Sequence, residues 1–151
     1  MRRFRAALAY LLVSLLLVVP ANSYSVLTHE ELIDLVWDDS IKPLLLSRYP
    51  QATPDELRQA HAFAYGGSVL QDLGYYPFGN RLFSDLTHYV RTGDFEKNLF
   101  LESTNINELA FAAGTLAHYV SDIHGHPFIN RAVAIEWLYA YGLCRAGIFL
   151  L

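Results

Sequence analysis

The stretch "ATPDELRQAHAFAYGGSVLQDLG" constrains the fold of this chain more than any other. Thr53 is a natural N-cap, Pro54 suits the first helical position, and Glu56 completes a capping box three residues after the threonine. Gly66 and Gly67 can weaken or kink the helix that follows, and Gly74 is its expected stop. The same grammar recurs along the chain. Thr28-His-Glu-Glu forms a box that opens a run containing Leu32, Ile33, Leu35 and Val36. Residues 81–91 carry helical spacing through Leu82, Phe83, Leu86, Tyr89 and Val90, and Asp94 is placed to cap a short helix. Asn105-Ile-Asn-Glu caps the last clear helix, which should run to about Ile123 before Gly125 and Pro127 end it. Strand-like alternation and internal repeats are absent from the sequence. The expected fold is all-α, one multi-helix bundle.

The first residues belong to a different pattern. MRRFR supplies three arginines and no acid, an apolar run follows from residue 6 to 19, and Pro20-Ala21-Asn22-Ser23 ends in small residues. This is the layout of a secretory signal peptide over residues 1–23, cleaved after Ser23 to leave Tyr24 as the new amino terminus. The apolar run is short against the roughly twenty residues of a membrane span, so an anchor is the lesser alternative, holding if the leader stays uncleaved. The protein is therefore expected to be secreted or periplasmic. Loss of residues 1–23 removes three arginines, so the formal net charge of -4 becomes -7. With no basic run remaining, nucleic acid is not the favoured partner. Cys144 is the only cysteine, which excludes an internal disulfide, and no disulfide-linked partner is expected.

Against this background the stretch "LAHYVSDIHGHPFIN" is unusual, because an apolar helix acquires three imidazoles at its end. His118 and Asp122 are one turn apart on one face, and His126 follows four residues later, where the chain is expected to turn before Pro127. A core histidine hydrogen-bonded to a carboxylate explains such a pair equally well. Imidazole nitrogen and carboxylate oxygen are also ligands suited to zinc. Three further groups can complete a shell. His29 lies in the first turn of the first helix, and Asp72 lies among apolar residues near the end of the Thr53 helix. His88 is read on the apolar side of its own helix, beside Leu86 and Tyr89. Helical bundles build metal cores by sending such groups inward from several helices. His61 and His124 have no evident place in such a site, and His61 is read as structural.

In this order and at these spacings, "YSVLTHE", "YGGSVLQDLGYYP", "LTHYV" and "GTLAHYVSDIHGHP" resemble the zinc-dependent phospholipase C family, whose relatives include fungal zinc nucleases and the catalytic domain of glycosylphosphatidylinositol-specific phospholipase D. The resemblance covers residues 24 to about 132 and implies an all-α domain holding three zinc ions. It implies that Asp72, His88, His118 and Asp122 surround one zinc. Tyr24, through its backbone amino and carbonyl groups, and His29 hold a second that Asp122 bridges, and His126 belongs to a third. The implied reaction is hydrolysis of a phospholipid or other phosphodiester by a zinc-activated water, with Asp72 also orienting or deprotonating that water and with contact at a membrane surface possible in principle. The family completes its third zinc with a later His-x-x-x-Glu or His-x-x-x-Asp. This chain has no histidine after His126, and residues 133–151 form an atypical apolar tail. That departure predicts a truncated or out-of-frame end, two zinc ions instead of three, and doubtful activity. A zinc nuclease and a non-catalytic helical remnant stay open as alternatives.

Overall fold

The computed structural model describes residues 26–140, with side chains for 26–129, 131 and 132. The expected leader, Tyr24 and residues 141–151 lie outside that range. Every described element is helical: α1 (Val26–Val36), a π-helical turn (Trp37–Ile41), α2 (Lys42–Arg48), α3 (Pro54–Val69), a 3-10 helix (Gln71–Tyr75), α4 (Arg81–Tyr89), α5 (Thr92–Glu102) and α6 (Ile106–Ala140). The all-α expectation holds. Among the described residues, no helix is long and apolar enough to cross a membrane.

The Thr53 capping box forms with both arms. Thr53 Oγ1 accepts from the Glu56 backbone at 3.3 Å, and the Glu56 carboxylate accepts from the Thr53 N–H at 2.7 Å. Other boundaries depart from the sequence reading. The α1 helix starts at Val26, so Thr28 lies inside it instead of capping it, since Val26 and Leu27 offer no break. Asp94 pairs with Arg91, and α5 opens from Arg91 in the left-handed region at φ 56°. Asn105 does cap α6, accepting from the N–H groups of Asn107 and Glu108 at 3.0 Å each. That helix then continues past Ile123 through Gly125 and Pro127 to Ala140. Proline costs a helix interior about 3 kcal/mol without forbidding it, and the Ala-, Val- and Leu-containing stretch beyond it resumes good helix formers.

One apolar stripe runs the length of the first three elements: Ile33, Trp37, Ile41 and Leu45, all buried. A strict four-residue repeat drifts about 40° per step around an α-helix of 3.6 residues per turn. The π-helical turn sits in the middle of the repeat and takes up the excess, so the stripe stays on one face.

The stripe packs on the crossing of α3 with α6, built from Ala60, Ala64, Leu109, Ala110 and Ala113. At its closest point the two backbones touch. A Cβ on Gly114 would lie 2.0 Å from the Ala64 carbonyl oxygen, and one on Gly67 would lie 2.1 Å from that of Phe111. The glycine pair thus leaves α3 unbroken and sets its distance from α6. After Val69 the chain tightens into the 3-10 helix, which carries Asp72 beyond the end of α3.

Candidate metal centre

The close crossing of α3 and α6 has a consequence one turn further along. It brings the Ser68 carbonyl of α3 to 2.6 Å from His118 Nδ1. A carbonyl only accepts, so Nδ1 carries the proton and His118 Nε2 is left with a lone pair. In α4 the Ser84 carbonyl does the same for His88 Nδ1 at 2.8 Å, four residues back in its own helix. Ser121 treats His29 likewise. Its hydroxyl proton goes to the His118 carbonyl at 2.7 Å, so its oxygen receives the Nδ1 proton of His29 at 3.0 Å. His29 also stacks on His118, with ring centroids 3.9 Å apart and planes inclined by 18°.

Three imidazoles therefore turn their Nε2 atoms toward a common region, and the other groups there are carboxylates. His88 Nε2 lies 3.2 Å from His118 Nε2. Asp122 Oδ2 is 3.5 Å from each of them, and Asp72 Oδ1 is 3.4 Å from His88 Nε2. The second oxygen of Asp122, Oδ1, is 3.5 Å from His29 Nε2 and 3.4 Å from His126 Nε2. It is buried without a hydrogen-bond donor among the described residues. Lone pairs facing lone pairs repel, so either a proton on His88 or a metal ion must stand between these atoms. Four ligands at about 2.1 Å from a tetrahedral zinc stand about 3.4 Å apart. The separations around His88 match that edge, so the residues present fit the metal. His88, His118 and Asp122 form one group with ligand atoms within 4.8 Å of one another, and His29, Asp72 and His118 form another.

The electrostatics agree with this chemistry. Burial by itself would raise the Asp122 carboxyl, but hydrogen bonds to His118 and His88 outweigh it and hold the group far below the usual carboxylate range. The same balance, with His88 as the main partner, keeps Asp72 low. Burial would also lower His88, yet Asp122, Asp72 and the Ser84 carbonyl together push it up to about 10. His29 goes the other way, down to about 4, because burial dominates and His118 adds to it. Positive charge is wanted at the His88–Asp122 pair and is excluded from the His29 ring.

The structure thus brings His88, His118 and Asp122 together, with Asp72 beside His88 and in a second group with His29 and His118, and with His29 on the far oxygen of Asp122. His126 stands mid-helix instead of at a helix end, and it faces the same Oδ1 as His29. Tyr24 lies outside the described residues. His88 is not on an apolar inner face: its neighbours on the packed side of α4 are Ser84 and Thr87, and Leu86 and Tyr89 are exposed. His61 belongs to a separate cluster, stacked between Trp37 and Tyr65 and 3.1 Å from Asp34 Oδ1, and His124 is exposed. Sequence reasoning missed Ser68, Ser84 and Ser121. Ser84 carries a local signal, four residues before His88, whereas Ser68 is fifty residues from the ring it orients. It also missed Glu96, buried in α5, whose Oε2 accepts from Thr115 Oγ1 at 2.8 Å one turn before His118.

A family model described as zinc-dependent phospholipase C matches residues 28–148. The chain belongs to that family. Membership in the zinc-dependent phospholipase C family names the cation that the converging lone pairs call for, and it supports a phosphodiesterase-like activity for the domain. Comparison with curated proteins and with solved structures gave no match.

Proposed function

We propose that this chain is an exported zinc-dependent phosphodiesterase acting on phospholipid-type phosphoesters. The observation that carries this reading is the convergence of three Nε2 atoms, each on a ring whose Nδ1 is already hydrogen-bonded, on Asp122 and Asp72. In this reading Asp72, His88, His118 and Asp122 hold one zinc ion through Asp122 Oδ2. His29 and the amino end of a processed Tyr24 hold a second on Oδ1. The position of His126 on that same oxygen favours a share in the second ion over a third of its own. Residues 1–23 serve as the removable leader, so export and assembly of the second site are linked.

Bound zinc supplies positive charge opposite the phosphoryl oxygens and makes water acidic enough to attack near neutral pH. The chain's residues do the rest. Ser68, Ser84 and Ser121 fix the imidazole tautomers, so no proton must be moved from a ligating nitrogen of His118 or His29 before metal binds. The Asp72 side chain is 24% exposed against 14% for Asp122, so Asp72 is the carboxylate a substrate can reach. Held ionised by His88, it is able to orient a water and take its proton. The test is zinc-dependent hydrolysis by the processed protein, with phosphatidylcholine and single-stranded DNA as parallel substrates. Cleavage of the lipid that chelator abolishes and zinc restores is the expected result. Cleavage of DNA alone would move the protein to the nuclease side, and cleavage of neither would end the phosphodiesterase reading.

A further inference from the structure

The 3-10 helix and α4 are built inside out. Their buried residues are Gln71, Gly74, Ser84 and Thr87. Hydrogen bonds hold these polar groups together: Gln71 Nε2 donates to the Thr87 carbonyl at 3.2 Å, and the Gly74 N–H donates to Ser84 Oγ at 2.8 Å. Their outward residues are apolar. Leu73, Tyr75 and Tyr76 are exposed on the first element, and Leu82, Phe83, Leu86 and Tyr89 on the second, with Val90 just beyond. Positions 82, 86 and 89 share one helix face, so these side chains make a stripe and not a scatter.

At the tip between the two elements stands Phe78, fully exposed, with φ 69°. An aromatic residue in the left-handed region costs about 1 kcal/mol or more, and here it gains no packing in return. Such an outlier, with its ring held away from the protein, points to contact with something else.

We infer that this tip and the outer face of α4 form a docking surface for a phospholipid bilayer, with the metal centre directly behind it. Three observations select a lipid surface as the occupant. The exposed set mixes aliphatic side chains with three tyrosines, the composition that suits the boundary between acyl chains and headgroups. Its charges balance and leave nothing to repel a headgroup: Arg81 lies 3.8 Å from Asp85, which also accepts from Tyr75 OH at 3.0 Å, and Arg91 pairs with Asp94. Finally, the same two elements supply Asp72 and His88, and the rings of Tyr75 and Tyr89 lie within 5.6 Å of the His88 ring. A surface resting on α4 would place its phosphodiesters beside the centre. The choice of occupant rests on the phosphodiesterase reading above.

The test uses the full processed protein and the double variant Phe78→Ser with Leu82→Ser, both residues exposed and neither among the candidate metal ligands. Both are mixed with vesicles of phosphatidylcholine containing a minor share of phosphatidylglycerol, and co-sedimentation is measured. In parallel, hydrolysis of a water-soluble p-nitrophenyl phosphodiester is followed per bound zinc. The wild type is expected to sediment with vesicles, and the variant to bind roughly tenfold or more weakly for each side chain lost. Soluble hydrolysis and zinc content are expected to stay unchanged. Equal sedimentation of variant and wild type overturns the proposal, as does a wild type that ignores vesicles. A wild-type dimer that the variant converts to monomer also overturns it, in favour of a second copy as the occupant. Vesicle binding that depends on Phe78 and Leu82, with neither substrate cleaved, supports the docking surface and overturns the phosphodiesterase reading alone.

Discussion

Two layers of this molecule obey opposite rules. At the crossing of α3 with α6, small apolar residues face each other, backbones touch at Gly67 and Gly114, and burial supplies the cohesion. In the 3-10 helix and α4 the buried side is polar, the apolar side is exposed, and hydrogen bonds and shared ligands supply the cohesion. The two layers meet at the imidazoles of His88 and His118. The first layer is held by its own packing. The second is completed by what binds it.

The largest expected effect lies in the first layer. Gly114→Val would drive side-chain carbon into the Ala64 carbonyl, and a clash with backbone cannot be relieved by a rotamer change. A loss of about 3 kcal/mol or more is expected in chemical denaturation, a large fraction of the roughly 5–15 kcal/mol that holds such a domain. Gly66→Ala is the control. Its added Cβ would meet only the Phe111 ring at 3.7 Å, an ordinary contact, so stability should hold or rise by roughly 0.5 kcal/mol. If both variants unfold alike, the close crossing is not what sets the fold.

Next comes the junction itself. Asp122→Ala removes the carboxylate that faces both proposed ions, so on the two-ion reading zinc content should fall to none in elemental analysis of the dialysed protein. His126→Ala should weaken only the ion on Oδ1, leaving about one per chain. Its position in the structure gives that outcome a physical basis which the family resemblance does not, since the resemblance assigns His126 to a separate ion. Two ions retained by the His126 variant would return it to a site of its own.

This difference between layers also decides what could be read in the sequence. The Thr53 box and the face shared by His118 and Asp122 depend on residues three or four apart, so helical periodicity revealed them. The orientation of α4 depends on what lies above and below it. Leu82, Leu86 and Tyr89 have the spacing of an inward stripe, and nothing local says that Ser84 and Thr87 take the inside instead. Pro127 reads as a stop in the sequence because proline breaks a helix on average, whereas the flanking sequence decides the actual case. The bare state of His118 Nε2 was hidden for a plainer reason: it is set by a backbone carbonyl fifty residues away, which every residue type possesses.

A pH titration in chelator should separate the layers without mutation. Ala60, Ala64, Gly67, Ala110 and Gly114 do not titrate, so amide exchange protection at the crossing should follow global stability alone. His88 has its pKa raised from 6.5 to about 10, so its contribution is complete below about 6.5 and is lost as pH rises toward 10. His29 is lowered to about 4, so the folded state resists protonating it and loses stability as pH falls from 6.5 toward 4. Without metal, α4 should therefore be best protected near pH 6.5 and open first on the alkaline side. Zinc should reverse the alkaline trend, because a metal ion replaces the His88 proton and binds more tightly as that proton leaves. Protection of α4 that is flat from pH 6 to 10 in chelator would sever it from the ligand chemistry.

The smallest effect sharpens the comparison most. At Gly67 and Gly114 of the first layer glycine cannot be replaced, and at position 78 in the second it should be welcome. Phe78 occupies a backbone conformation that costs an L-residue about 1 kcal/mol and glycine nothing, and its exposed ring has no packing to lose. Glycine also gives the unfolded chain more freedom, which offsets part of the gain. Phe78→Gly should therefore raise stability by roughly 0.5 kcal/mol in denaturation while zinc content stays the same. Vesicle binding should fall in the same variant, because the ring that spoils the tip's conformation is the one that enters the lipid. A variant that is less stable than wild type would mean that the Phe78 ring packs on the protein after all, and the case for a tip held out for a membrane would lose its strained residue.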